Sequence, residues 1–74
     1  MERRRVKSSN LRAVGYDPEL EILEVEFLET GVYQYSGVPS HVYERLLMVM
    51  SKGRYFNDHI RDHFRSERMA DVPR

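Results

Sequence analysis

Leu23, Val25 and Phe27 alternate with Glu24 and Glu26, and this strict period of two constrains the fold more than any other feature of the chain. Successive side chains of a strand point to opposite faces, so the apolar set needs cover while the glutamates lie on the other side. A single half-apolar strand is not stable in water and needs strand neighbours and a covering layer. The flanking sequence offers both. Residues 11–16 read as a first strand, 20–28 as the second and 32–35 as a third. Asp17-Pro18-Glu19 makes the first connector and Thr30-Gly31 marks a hairpin turn.

After Gly37-Val38-Pro39 the period changes. Val42, Leu46, Val49 and Met50 recur at helical spacing, with Tyr43 and Leu47 widening the stripe. Pro39 and Ser40 are helix-start residues, and Gly53 is expected to stop or kink this helix. Phe56, Ile60 and Phe64 then share one face of a second short helix. The expected fold is α+β: a three-stranded antiparallel meander followed by two short helices packed on one face, in the order β-β-β-α-α. The expected organisation is a mobile basic arm over residues 1–7, one domain over 8–65 and a frayed tail over 66–74.

The 74 residues make one small domain, with a core too thin to hold a large enclosed pocket. No cysteine is present, which excludes a disulfide scaffold, a zinc ribbon and a thiol nucleophile. No apolar run approaches membrane-span length, and Arg3, Arg4 and Arg5 are not followed by a signal-like apolar stretch. A cytoplasmic protein without membrane contact is therefore expected.

Zero net charge hides segregation. Residues 1–16 carry a net +4, residues 17–30 a net −6 and residues 45–65 a net +3. Two basic segments can converge on a phosphate backbone, or they can neutralise the acidic strand within one molecule or across a dimer. Ten of the twelve cations are arginine, whose planar fork suits phosphate and carboxylate.

Several segments match one pattern together. They are Ser8-Ser9-Asn10-Leu11, Val14-Gly15-Tyr16-Asp17, Leu23-Glu24-Val25-Glu26-Phe27, Tyr33-Gln34-Tyr35, Val38-Pro39, Val42-Tyr43 and Ser51-Lys52-Gly53-Arg54-Tyr55-Phe56-Asn57, followed by Ile60-Arg61. In this joint spacing, residues 6–64 resemble the KTSC domain. That family is named after a segment at the C-terminus of some lysyl-tRNA synthetases and also occurs as stand-alone small bacterial or phage proteins. Attachment to a tRNA enzyme makes RNA binding the function that the resemblance implies, by association rather than by mechanism.

Tyr33 and Tyr35 share a face of their strand. A two-residue loop, Thr30-Gly31, would set Leu28 opposite Tyr33 and Glu26 opposite Tyr35, exposing the rings as a base-stacking platform. A three-residue loop, Glu29-Thr30-Gly31, would set Phe27 opposite Tyr33 and Val25 opposite Tyr35, turning the rings to the core. The second is favoured, because the first puts Gln34 and Ser36 on the apolar face. Their hydroxyls can still reach the rim.

The segment 51–57 is the second candidate. Lys52 and Arg54 flank Gly53, Tyr55 can stack on a base, and Asn57 and Arg61 stand at i, i+4. Ser9, with Ser8 and Asn10, joins them if the fold brings the two segments together. A purely structural account also stands: Ser51 caps a helix, Gly53 turns the chain and Arg61 pairs with Asp58 or Asp62.

His59 and His63 have a helical metal-ligand spacing but lack the glutamate of H-E-x-x-H, so no metal site and no cofactor are expected. No nucleophile elbow and no phosphate-binding glycine loop are present. A non-catalytic binding module is the expectation. Its candidate ligand residues are Ser9, Tyr33, Tyr35, Lys52, Arg54, Tyr55, Asn57 and Arg61, and its partner is RNA or another nucleic acid. The alternatives are a homodimer or protein-interaction module using the open sheet face with Ile22 and Leu28, and a small-ligand or nucleotide site at 51–57.

Overall fold

The computed structural model describes residues 1–70. Its elements are β1 (Arg4–Arg5), β2 (Leu11–Asp17), β3 (Ile22–Phe27), β4 (Gly31–Ser36), α1 (Ser40–Met48), α2 (Lys52–His59) and β5 (Arg65–Ala70). The strands form one antiparallel sheet in the order β1-β2-β3-β4-β5. The α+β class is as expected, but the sheet has five strands where the sequence reading had three.

The two additional strands lie at the edges. Arg4 and Arg5 pair with Val14 and Ala13, so part of the expected mobile arm is a strand. Residues 65–70 pair with β4 where a frayed tail was expected. The rest of that tail, 71–74, lies outside the described residues. A backbone ladder needs no apolar side chains when the strand stays at an edge, and every residue of β5 is exposed.

The central hairpin decides which side chains share a face. Val25 pairs with Tyr33, Leu23 with Tyr35, and Phe27 with Gly31. The tyrosines do lie with Leu23, Val25 and Phe27, but in a register two residues from the expected one. Leu28, Glu29 and Thr30 form the turn, and Gly31 follows at φ 108°, a backbone state that disfavours L side chains. In β2, Leu11, Val14 and Tyr16 join the same face across a bulge between Leu11 and Ala13. Asp17 Oδ1 accepts from the backbone N–H groups of Glu19 and Leu20 at 3.0 and 3.2 Å, closing the next turn.

Both helices cover this face. Leu46 from α1 and Phe56 from α2 join Leu11, Val14, Leu23, Val25, Tyr35, Val38 and Ile60 in the buried cluster. Tyr43 of α1 stacks on Tyr16 with centroids 5.0 Å apart, and the Tyr16 hydroxyl donates to the Val38 carbonyl. Three expectations about the helices change. The second helix ends at His59, so Ile60 is its C-cap and Phe64 lies beyond it. Helix α1 ends at Met48, so Val49 is its C-cap and Met50 stands 98% exposed. Gly53 neither stops nor kinks a helix but is the second residue of α2.

The opposite sheet face is not open. Glu24 and Glu26 are buried there, at 8% and 7% exposure. Arg3 Nη1 donates to Glu24 Oε2 at 3.0 Å, and Gln34 Nε2 donates to Glu24 Oε1 at 2.9 Å. Arg3 Nε and Arg12 Nε each lie 3.5 Å from a Glu26 oxygen. Intramolecular neutralisation is thus realised for the acidic strand, because burial makes an unpaired carboxylate costly. Gly15 belongs to the same arrangement: a Cβ there would stand 2.6 Å from the Glu2 carbonyl oxygen, so the N-terminal segment can cross β2 only where no side chain intervenes.

Candidate nucleic-acid interface

Two clefts flank α2, one toward each end. The first, about 460 Å3, has an aromatic floor of Phe27, Tyr33, Tyr35 and Phe56. Phe56 meets Phe27 and Tyr35 edge to face at 5.2 and 5.3 Å, and Phe27 meets Tyr33 edge to face at 5.6 Å. Such contacts fix ring planes more firmly than area burial alone. Tyr35 and Phe56 are buried, whereas Phe27 and Tyr33 are half-buried. Asn10, Asn57, Arg61 and Asp62 stand on the rim, with Thr30 and Ser66 closing it.

The end of α2 puts Arg61 and Asp62 there. The N–H groups of both Ile60 and Arg61 donate to the Phe56 carbonyl at 2.9 Å, and the helix closes at Ile60. Arg61 therefore lies past the helix, yet it still lines the cleft with Asn57. Arg61 enters no ion pair among the described residues; the pair made by this segment is Arg54 with Asp58 at 3.8 Å, both exposed. Burial pushes the Tyr35 phenol up to about 12, reinforced by Tyr33 and Asp62 and opposed by the Arg61 guanidinium. At neutral pH the Tyr35 hydroxyl is a donor beside one fixed positive and one negative charge.

The second cleft, about 670 Å3, is lined mostly by polar residues together with Met50. Ser8, Ser9 and Asn10 face Ser51, Lys52 and Arg54 across it, with Asn57 at its border. The fold thus brings the serine turn before β2 to the start of α2. Contact between the two segments is close. A Cβ on Gly53 would overlap the Asn10 carboxamide, so glycine is required by this approach and not by a turn. Ser8 Oγ donates to Asn10 Oδ1 at 3.2 Å and accepts from the Leu11 N–H at 3.3 Å, holding the turn. Ser51 occupies the N-cap of α2 without a side-chain hydrogen bond.

The predicted ligand residues divide accordingly. Tyr33, Tyr35, Asn57 and Arg61 share the aromatic cleft, and Ser9, Lys52, Arg54 and Asn57 share the polar one. Lys52 Nζ donates to the Val49 carbonyl at 2.7 Å, so one of its donors ties down the link between the helices. Tyr55 lines neither cleft; its ring lies over His59 with centroids 4.6 Å apart and packs against the core. The described residues hold no cluster of three or more histidines and carboxylates suited to a metal ion. They also contain no helix long and apolar enough to cross a membrane.

The model of the KTSC domain matches residues 7–64, most of the chain and both clefts apart from Ser66. The chain belongs to the KTSC domain family. A KTSC domain protein of Yersinia pestis, solved by crystallography, superposes with a TM-score of 0.92 at 38% identity, covering 93% of this chain and 97% of that one. An uncharacterized protein of Stutzerimonas stutzeri is 51% identical over 57 residues, 77% of this chain and 80% of its own length. A lysine–tRNA ligase of Nostoc sp. is 34% identical over 64 residues, which is 86% of this chain and 11% of the ligase.

Within this KTSC domain, sequence reasoning missed Phe27, Phe56 and Asp62 as site residues. The two phenylalanines fall on apolar stripes and read simply as core. Asp62 read as a charge partner of Arg61. The signal that could have flagged Phe27 is that it shares its strand face with Tyr33 and Tyr35 across the hairpin.

Proposed function

We propose that this KTSC domain is a non-catalytic module that binds single-stranded RNA. An unpaired base stacks on Phe27 and Tyr33 in the aromatic cleft, and the neighbouring phosphates lie along Arg61 and the polar cleft with Lys52 and Arg54. The observation that carries this reading is the floor of four aromatic residues, two of them half-buried, beside a guanidinium that enters no ion pair among the described residues. Base stacking on aromatic rings with adjoining cations is the general mode of single-strand binding. The related lysine–tRNA ligases are consistent with an RNA ligand.

The test is an amide NMR titration with a short mixed single-stranded RNA, at low and then high salt. The expected result is shifts at Asn10, Phe27, Tyr33, Asn57 and Arg61 that shrink as salt rises. An unmoved spectrum at large RNA excess overturns the reading. Shifts confined to 51–57 with a mononucleotide, and none with the oligonucleotide, would favour a small-ligand site instead. Met48 at the end of α1 and Met50 on the link between the helices, 82% and 98% exposed, are where a protein partner or second copy would register in the same spectra.

A further inference from the structure

The polar rim of the aromatic cleft is not chemically neutral towards the four bases. Arg61 supplies a planar set of donors, Asp62 is an acceptor when ionised, and the Tyr35 hydroxyl stands at the floor as a donor. Asn10 is the least available of the rim groups, since its Oδ1 already accepts from Ser8 Oγ and its carboxamide abuts Gly53. Asn57 stands at the border of both clefts.

We propose that the cleft prefers guanine, with Asp62 accepting from the N1–H and N2 amino group and Arg61 and Tyr35 donating to O6 and N7. This rests on the single-strand reading above and adds base identity to it. Guanine alone among the four bases offers two adjacent donors on its pairing edge and two adjacent acceptors, O6 and N7, beside them. A carboxylate meets the first pair and a guanidinium the second. Adenine offers N7 and N1 as acceptors with one amino group, so Asp62 would meet a lone pair at N1. Uracil presents a single ring N–H between two carbonyls, each of which would lie near the carboxylate. Cytosine has an amino group but no ring N–H beside it. Each of the three leaves Asp62 without its second donor and brings it close to an acceptor, which disfavours them as much as guanine is favoured.

The experiment compares four pentauridine-based RNAs that differ at the central base, with G, A, C or U there, by fluorescence anisotropy at one salt concentration. Asp62→Asn and Arg61→Lys are measured alongside; both positions are exposed, so folding is expected to be unaffected, and the amide spectrum of each variant checks this. The expected result is about tenfold tighter binding of the G-centred strand, reduced to about twofold or less in Asp62→Asn. Arg61→Lys keeps the charge but loses the fork, and is expected to lower the G preference more than the affinity for the other three strands. Equal affinity for all four strands overturns the guanine inference and leaves single-strand binding standing. A G preference that Asp62→Asn leaves intact overturns the role of Asp62. Binding of none of the four overturns both readings.

Discussion

The Asn10 carboxamide occupies the space that a Cβ on Gly53 would need, so the turn before β2 and the first turn of α2 are in direct contact. This contact sets the ridge between the two clefts, because Asn10 lines both. It also explains a glycine inside a helix, where alanine is intrinsically better by about 1 kcal/mol. Gly53→Ala should show two opposed effects: the helix gains while Asn10 is pushed aside. In an Asn10→Ala background the clash is absent, and Gly53→Ala should then stabilise by about 0.5–1 kcal/mol. In the native background the gain should vanish or reverse. Urea unfolding of the two single variants and the double variant measures the coupling, and additivity would show that the two residues do not meet.

Glu24 should be among the most sensitive surface-strand positions despite its charge. It is buried, and its two oxygens accept from Arg3 and Gln34. Glu24→Ala leaves the Gln34 amide without its acceptor and Arg3 with only its longer contact to Glu26, and should cost about 2 kcal/mol, while Glu24→Gln should cost about half that. For a chain of 74 residues the larger loss is a substantial share of the total stability. Arg3→Ala should release the N-terminal strand, seen as faster amide exchange at Arg4 and Arg5 with little change in α2.

Alkaline titration probes the aromatic floor. The Tyr35 phenol ionises at about 12 in the folded chain against 10.0 for an ordinary tyrosine. The folded state then holds its proton more tightly than the unfolded state. The associated stability is complete below pH 10 and is lost as pH rises from about 10 towards 12. Tyr35→Phe should flatten part of this decline in urea midpoints, and absorbance titration of the native protein should show a late-ionising tyrosine that the variant lacks. The Tyr16 phenol is also raised, chiefly by burial, so the Tyr35 variant should remove only part of the alkaline loss.

The sequence carries strands β2 to β4 and the positions of both helices because alternation and helical spacing are local signals. It carries little trace of β1 and β5. Arg65-Ser66-Glu67-Arg68 has no apolar alternation, since β5 contributes a hydrogen-bonded edge and no core residue. The hairpin shows a different limit. Pairing Val25 with Tyr33 instead of Tyr35 shifts the register by two residues, and a shift of two leaves every side chain on its original face. Facing was therefore legible and register was not. At the site, Tyr33, Tyr35, Asn57 and Arg61 could be chosen by residue type. That Phe27 and Phe56 floor the same cleft, and that Tyr55 turns instead to His59, depends on the crossing of α2 over the sheet. No local pattern encodes that crossing.

Arg61, which lines the aromatic cleft, and Tyr55, which lines neither cleft, test the aromatic floor against the outer face of α2. If a base stacks on Phe27 and Tyr33 with its phosphate near Arg61, then Arg61→Ala should weaken single-stranded RNA binding about tenfold and lower the slope of affinity against salt by roughly one ion. Tyr33→Leu should cost about 1–2 kcal/mol of binding, because a leucine fills the space without offering a ring face. Arg54, exposed and loosely paired with Asp58, should contribute a smaller, salt-sensitive part. Tyr55→Leu should leave affinity within about twofold of native, since Tyr55 lines neither cleft. Anisotropy titrations at three salt concentrations distinguish these expectations. A loss of binding in Tyr55→Leu equal to that in Tyr33→Leu, with both variants folded, would move the binding surface to the outer face of α2 and away from the aromatic floor.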